Sequence, residues 1–126
     1  EIASAATSNA NLGQHVYPLA SKMLNAHGID CSEKVARRLV REDYDKYDLL
    51  IGMDNANIRD MKRICGGDSQ GKIHRLMEFT DRDGEVADPW FTRDFNVAWN
   101  DIVEGCTGLL NALRVGNIKT KNTARA

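Results

Sequence analysis

The chain has 126 residues, 42% hydrophobic and 28% charged, which suits one domain with a single modest core. Its net charge of −1 argues against a general nucleic-acid surface or a basic membrane anchor, and no apolar run is long enough for a membrane-spanning helix. Cys31, Cys65 and Cys106 are too widely spaced for a disulfide framework or a paired metal site, which favours a reducing, cytoplasmic setting. The charge is uneven: residues 114–126 hold four basic residues and no acid, leaving 13 basic against 18 acidic residues in 1–113.

Residues 1–6 are small and alternating, which predicts a strand running into a loop at Asn9-Ala10-Asn11-Leu12-Gly13. Pro18 fits the first turn of a helix whose apolar residues are Leu19, Ala20, Met23 and Leu24 and which stops at Gly28. His27, one residue before that stop, reads as a cation favoured by the helix dipole rather than as a ligand. Residues 32–40 are basic without clear periodicity, and residues 41–46 predict one charged helical turn. The most apolar run, residues 47–53, predicts a strand buried on both faces. Asp54 is placed to cap a helix over 55–65 with Ile58, Met61 and Ile64 facing inward, stopped by Gly66-Gly67.

Residues 71–77 predict a further strand, and residues 78–93 a long acidic loop. Asp94 is placed to cap a last helix, in which Phe95, Ala98, Trp99, Ile102, Val103, Cys106, Leu109, Leu110 and Leu113 keep an amphipathic stripe. Strands alternating with helices predict a parallel α/β sheet, whose ligands bind beyond the carboxyl ends of the strands. Ser4 to Ser8, Asp54 and the loop around Asp88 all follow strand candidates, so they are expected to meet on one edge.

Within the acidic loop, Ala87-Asp88-Pro89-Trp90-Phe91 sets a carboxylate before a proline and two rings after it. Proline restricts the preceding residue to extended geometry, which aims Asp88 at little entropic cost. Aromatic neighbours exclude water and raise a carboxyl's pKa, as protonation of a leaving group requires. The same residues also suit an Asp-Pro turn with two rings packed on the core.

In order along the chain stand Ile2-Ala3-Ser4-Ala5-Ala6-Thr7-Ser8, Ala26-His27-Gly28-Ile29, Ala36-Arg37-Arg38-Leu39 and Glu42-Asp43-Tyr44. Tyr47-Asp48-Leu49-Leu50-Ile51-Gly52-Met53-Asp54, Asn57-Ile58-Arg59-Asp60-Met61, and Asp88-Pro89-Trp90-Phe91 before Asp94-Phe95 complete the series. Over residues 1–113 this resembles the low-molecular-weight protein tyrosine phosphatases. The resemblance implies a flavodoxin-like α/β domain, a parallel sheet flanked by helices; the polar, basic composition of residues 114–126, past the last apolar position, predicts a disordered tail. It also implies hydrolysis of a phosphotyrosine protein or a small aryl phosphate through a phosphocysteine intermediate, with no metal or other cofactor. Asp88 falls on the family's general acid, which protonates the tyrosyl oxygen and then activates water. Trp90 and Phe91 fall on the positions flanking the substrate's ring, Ser4 on a serine that orders the phosphate loop, and Asp54 on a second supporting acid. For Asp54 a plain helix cap stands beside that role, and for Ser4 a small residue at a strand end.

The family's nucleophile lies on a glycine-containing loop of Cys, five residues, Arg, then Ser or Thr, whose backbone amides cradle phosphate. No stretch of residues 1–126 matches it. Cys31-Ser32-Glu33-Lys34-Val35-Ala36-Arg37 has the Cys–Arg spacing but no glycine, and Cys65-Gly66-Gly67-Asp68-Ser69-Gln70-Gly71 has Gly where Arg is needed. The chain also opens at Glu1 inside a predicted strand, so it is expected to be N-terminally incomplete, lacking the family's central first strand and nucleophile loop. Ala10 stands where many members carry a larger pocket residue, and Lys34 where a number have histidine. Arsenate reduction on the same scaffold, and a non-catalytic binding remnant, are the alternative readings.

Overall fold

The computed structural model describes residues 1–10, 12–82, 84–92 and 94–116. Two compact units appear, Glu1–Leu39 and Val40–Ala126. In the first, the predicted strand over 1–6 reduces to one parallel bridge, Ala6 to Arg38, and Ile2 is fully exposed, so no burial drives residues 1–5 into regular pairing. His15 bridges Val35 antiparallel, with Gly13 N donating to Ala36 O and Ala36 N to Gln14 O, both at 2.8 Å. Helix α1 (Pro18–Ala26) starts on its proline and ends at His27 and Gly28, the latter at φ 76°, with Ile29 N donating to Leu24 O.

In the second unit, α2 (Glu42–Lys46) is the charged turn expected, and it buries Asp43 and Tyr44. Asp43 Oδ2 accepts from Val40 N at 2.9 Å, satisfying an amide before the helix begins. Strand β1 (Leu50–Gly52) pairs in parallel with β2 (Ile73–Arg75), in the register Leu50 to Ile73, Ile51 to His74 and Gly52 to Arg75. The crossover between them is α3 (Asn55–Cys65), capped by Asp54, whose side chain accepts from Asn57 N at 2.7 Å, and closed by left-handed Gly66. Gly52 lets α3 lie close on β1, since a Cβ there would meet Ile58 Cδ1 at 2.9 Å and Met61 Sδ at 3.0 Å.

Both strands are shorter than the apolar runs that predicted them. The run over 71–77 leaves the sheet at Arg75, and Leu76–Phe79 forms a 3-10 turn. That turn supplies the two most buried side chains of the core, Leu76 and Met77, packed with Val86, Ile51 and Leu109. Glu78 explains the change of direction: its carboxylate accepts from Arg75 N at 2.7 Å, a contact that only a tight turn brings together.

After α4 (Pro89–Thr92), helix α5 (Phe95–Val115) is capped by Asp94 through Asn96 N and Val97 N, and runs two residues past Leu113. Its buried face is Ala98, Asp101 and Gly105, whereas Ile102, Val103, Leu110 and Leu113 are 39–54% exposed. The apolar stripe therefore caught the inner face only in part, through Ala98 and the partly buried Leu109. Side chains at 105 and 108 would collide with Leu76 and with the Phe79 carbonyl, so these two glycines let α5 settle on the 3-10 turn. The expected basic tail beyond Gly116 lies outside the described residues.

Candidate active site

Asp88 sits where a segment anchored residue by residue enters α4. Arg75 Nη1 donates to Gly84 O at 2.9 Å. Glu85 Oε2 accepts from Asn55 N at 2.6 Å, placing a carboxylate at the N-terminus of α3, where the helix dipole favours it. Val86 N donates to Met53 O at 3.0 Å while its side chain enters the core. Ala87 N donates to Asp101 Oδ2 at 2.9 Å. The Asp88 carbonyl accepts from Thr92 N at 3.0 Å, opening α4, and Pro89 in the first turn has no N–H to leave unpaired. These bonds bring the acid-bearing segment against the carboxyl end of β1 and the start of α3, beside Asp54. The side chains of Asp54 and Asp88 belong to half-buried residues.

Asp54 is a helix cap by its observed bond. Ser4 lies in the first unit and is exposed. Trp90 and Phe91 take part in α4 through their backbone, and their side chains lie outside the described structure. Among the described residues no cluster of three or more His, Cys, Asp or Glu could hold a metal ion, and no helix is long and apolar enough to cross a membrane.

Sequence reading missed Asp101, Arg82, Glu104 and Glu85. Asp101 is buried on α5, with Arg82 Nη2 donating to its Oδ1 at 2.6 Å, while Arg82 Nε reaches Glu104 Oε2 at 3.0 Å. The available signal was a charge at the helical spacing of Ala98 and Gly105, where solvation would be lost. Burial alone would raise the Asp101 pKa; the bonds from Arg82 and the Ala87 amide outweigh it and hold the carboxyl below its usual value. A depressed carboxylate pKa stabilises the fold above the unfolded value and loses that contribution as pH falls through the folded one. The stability difference between the native protein and Asp101→Asn should therefore shrink as pH is lowered below about 4. Urea unfolding of both proteins across that range checks this, and a constant difference would rule it out.

The two cysteine segments considered as phosphate loops are otherwise engaged. In 31–37, Ser32 N donates to Asp30 Oδ1, Lys34 N to Cys31 O and Ala36 N to Gln14 O, so those amides are turned to protein acceptors. Cys65 is buried at the end of α3; burial, then the carboxylates of Asp43 and Asp68, push its thiol up and away from the nucleophilic thiolate.

The family model of the low molecular weight phosphotyrosine protein phosphatases matches residues 1–120. The chain belongs to this family. Low molecular weight protein-tyrosine-phosphatase PtpA of Staphylococcus aureus is 26% identical over 112 residues, which span 88% of this chain and 71% of PtpA. The crystal structure of YfkJ from Bacillus subtilis superposes with a TM-score of 0.82 at 25% identity, over 92% of this chain and 74% of YfkJ. SP-PTP, the low molecular weight protein tyrosine phosphatase of Streptococcus pyogenes, gives 0.76 at 28% identity, over 86% and 70%. This low molecular weight phosphatase thus has the α/β fold that its sequence implied, a parallel sheet flanked by helices, and by family it is a phosphatase enzyme.

Proposed function

We propose that the protein hydrolyses phosphotyrosine or small aryl phosphate monoesters through a phosphocysteine intermediate, with Asp88 as general acid and then general base. In this reading a cysteine thiolate attacks phosphorus while the Asp88 carboxyl gives its proton to the departing aryl oxygen. The resulting carboxylate next takes a proton from the water that attacks phosphocysteine, and the thiolate leaves. The single observation behind the assignment is the anchoring of residues 84–88, which fixes the backbone at the one carboxylate followed by proline and two aromatic residues. Trp90 and Phe91 flank the substrate ring, and Ser4 and Asp54 support the phosphate loop. The catalytic domain is residues 1–113, acting in the cytoplasm, a setting that suits its free thiols at Cys31, Cys65 and Cys106.

Residues 1–126 hold no cysteine and arginine on a glycine loop of the family's pattern, so these residues alone are expected not to turn over. The test is therefore made on the full-length gene product. It should release phosphate from phosphotyrosine and phenyl phosphate, with vanadate competing. A gene product that binds phosphotyrosine peptide without hydrolysing it would replace the enzyme with a binding module.

A further inference from the structure

Asp101 occupies an inner position of α5, between Ala98 and Gly105, where an apolar residue would cost nothing to bury. Its two oxygens are divided between two partners. Oδ2 accepts from Ala87 N at 2.9 Å, and Oδ1 from Arg82 Nη2 at 2.6 Å. Arg82 is fixed in turn by Glu104, one turn further along the same face, and by its own amide, which donates to Thr80 Oγ1 at 3.1 Å. The chain thus leaves the 3-10 turn, gives an arginine to α5, and returns to give the amide of residue 87 to the same carboxylate. Ala87 immediately precedes Asp88. The preceding peptide is held at Val86 by Met53 O and the following one starts α4, and the Ala87 amide makes a hydrogen bond that ties the acid's approach to α5.

We propose that Asp101 is a positioning residue for the acid: clamped by Arg82, it fixes the Ala87 amide and so the direction from which Asp88 meets the leaving group. The proposal rests on Asp88 being the general acid. A buried carboxylate that merely satisfied an amide would matter to folding and to every substrate alike. One that aims the acid matters most where the leaving group needs a proton.

The experiment compares kcat/KM of the full-length gene product on phenyl phosphate, whose phenoxide must be protonated as it leaves, and on 2,4-dinitrophenyl phosphate, whose leaving group departs as an anion. Asp101→Asn keeps the volume but cannot accept from both partners. It is expected to lower the phenyl phosphate value about 10- to 100-fold and leave the dinitrophenyl ester within about twofold. Arg82→Gln, at a half-exposed side chain, should show the same selectivity with a smaller loss and serves if Asp101→Asn folds poorly. In the Asp88→Asn background, Asp101→Asn should add little on phenyl phosphate. Hydrogen exchange of the Ala87 amide should be at least about tenfold faster in Asp101→Asn, with the β1 amides unchanged.

Equal losses on both esters, or unchanged exchange at Ala87, would overturn the proposal. Selectivity in Asp88→Asn but not in Asp101→Asn removes the positioning role and leaves the acid in place. No selectivity in Asp88→Asn, or a full-length product without activity, removes the acid and the positioning role with it.

Discussion

Asp88→Asn is expected to lower kcat/KM of the full-length gene product for phenyl phosphate by about 10²–10⁴-fold. The substitution is almost isosteric, and some of the bonds that help place residue 88 run through the backbone: the carbonyl accepts from Thr92 N and Oγ1, and the preceding amide is held by Asp101. Those backbone bonds do not involve the Asp88 carboxylate and should survive in the variant. What is lost is a proton that an amide cannot give. The loss should be greatest for esters of weakly acidic phenols and small for 2,4-dinitrophenyl phosphate. The basic limb of the pH profile on phenyl phosphate, which reports the acid, should disappear with it. Breakdown of the phosphocysteine should slow as well, because in the proposed mechanism the same group is the base for water. Steady-state kinetics on both esters, with circular dichroism to confirm the fold, checks all of this, and a near-normal rate on phenyl phosphate would remove Asp88 from the role.

How much of this was legible in the sequence depends on how local the cause is. The helices over 55–65 and from 95 onward were readable with their starts because Asp54 and Asp94 cap amides two or three residues away, and the first also with its end, because Gly66 closes it locally in left-handed geometry. The strands were overdrawn because apolar character marks burial and not pairing. Leu76 and Met77 are the most buried side chains, yet the Glu78 carboxylate bends them out of the sheet. The inner face of α5 was read only in part, through Ala98 and Leu109, for a related reason: hydrophobicity also pointed to Ile102, Val103, Leu110 and Leu113, but the packing partner is a turn that needs glycines at 105 and 108. At the site, Asp88 was conspicuous through its proline and rings. Its supports were not, because Asp101, Arg82 and the residues of β1 and α3 that anchor 84–88 are brought there only by the fold.

The other large effect concerns stability. The glycine-rich stretch after α3 is organised by Asp68. Its Oδ1 accepts from Tyr44 OH and Lys72 N, both at 2.8 Å, and from Ile73 N at 3.3 Å. Tyr44 OH in turn accepts from Gln70 N at 2.8 Å, and Lys72 Nζ donates to Tyr44 O at 2.6 Å while lying 4.9 Å from the ring centre. Tyr44, Lys72 and Ile73 are each under 9% exposed, so water is poorly placed to replace what Asp68 provides. Burial, together with the Asp68 carboxylate, pushes the Tyr44 hydroxyl up, which keeps it a donor. Bonds to a charged acceptor contribute about 1.5–3 kcal/mol each and do not add fully. Asp68→Ala should therefore cost about 2–4 kcal/mol in urea unfolding, and Asp68→Asn, which keeps an acceptor oxygen, about 1 kcal/mol. Tyr44→Phe combined with Asp68→Ala should cost less than the two separately, because one bond is counted in both. The loss should also be transmitted. Lys72 O accepts from Leu50 N at 2.9 Å at the first pair of the β1–β2 ladder, and the far end of β1 presents Met53 O to Val86. A slack start to β2 thus loosens the frame to which the acid-bearing segment is tied. Within the folded population the segment's own anchors remain, so kcat/KM per folded molecule should change far less than in Asp88→Asn. If both variants unfold within about 0.5 kcal/mol of the native protein, Asp68 is an ordinary surface residue and this account of the loop fails.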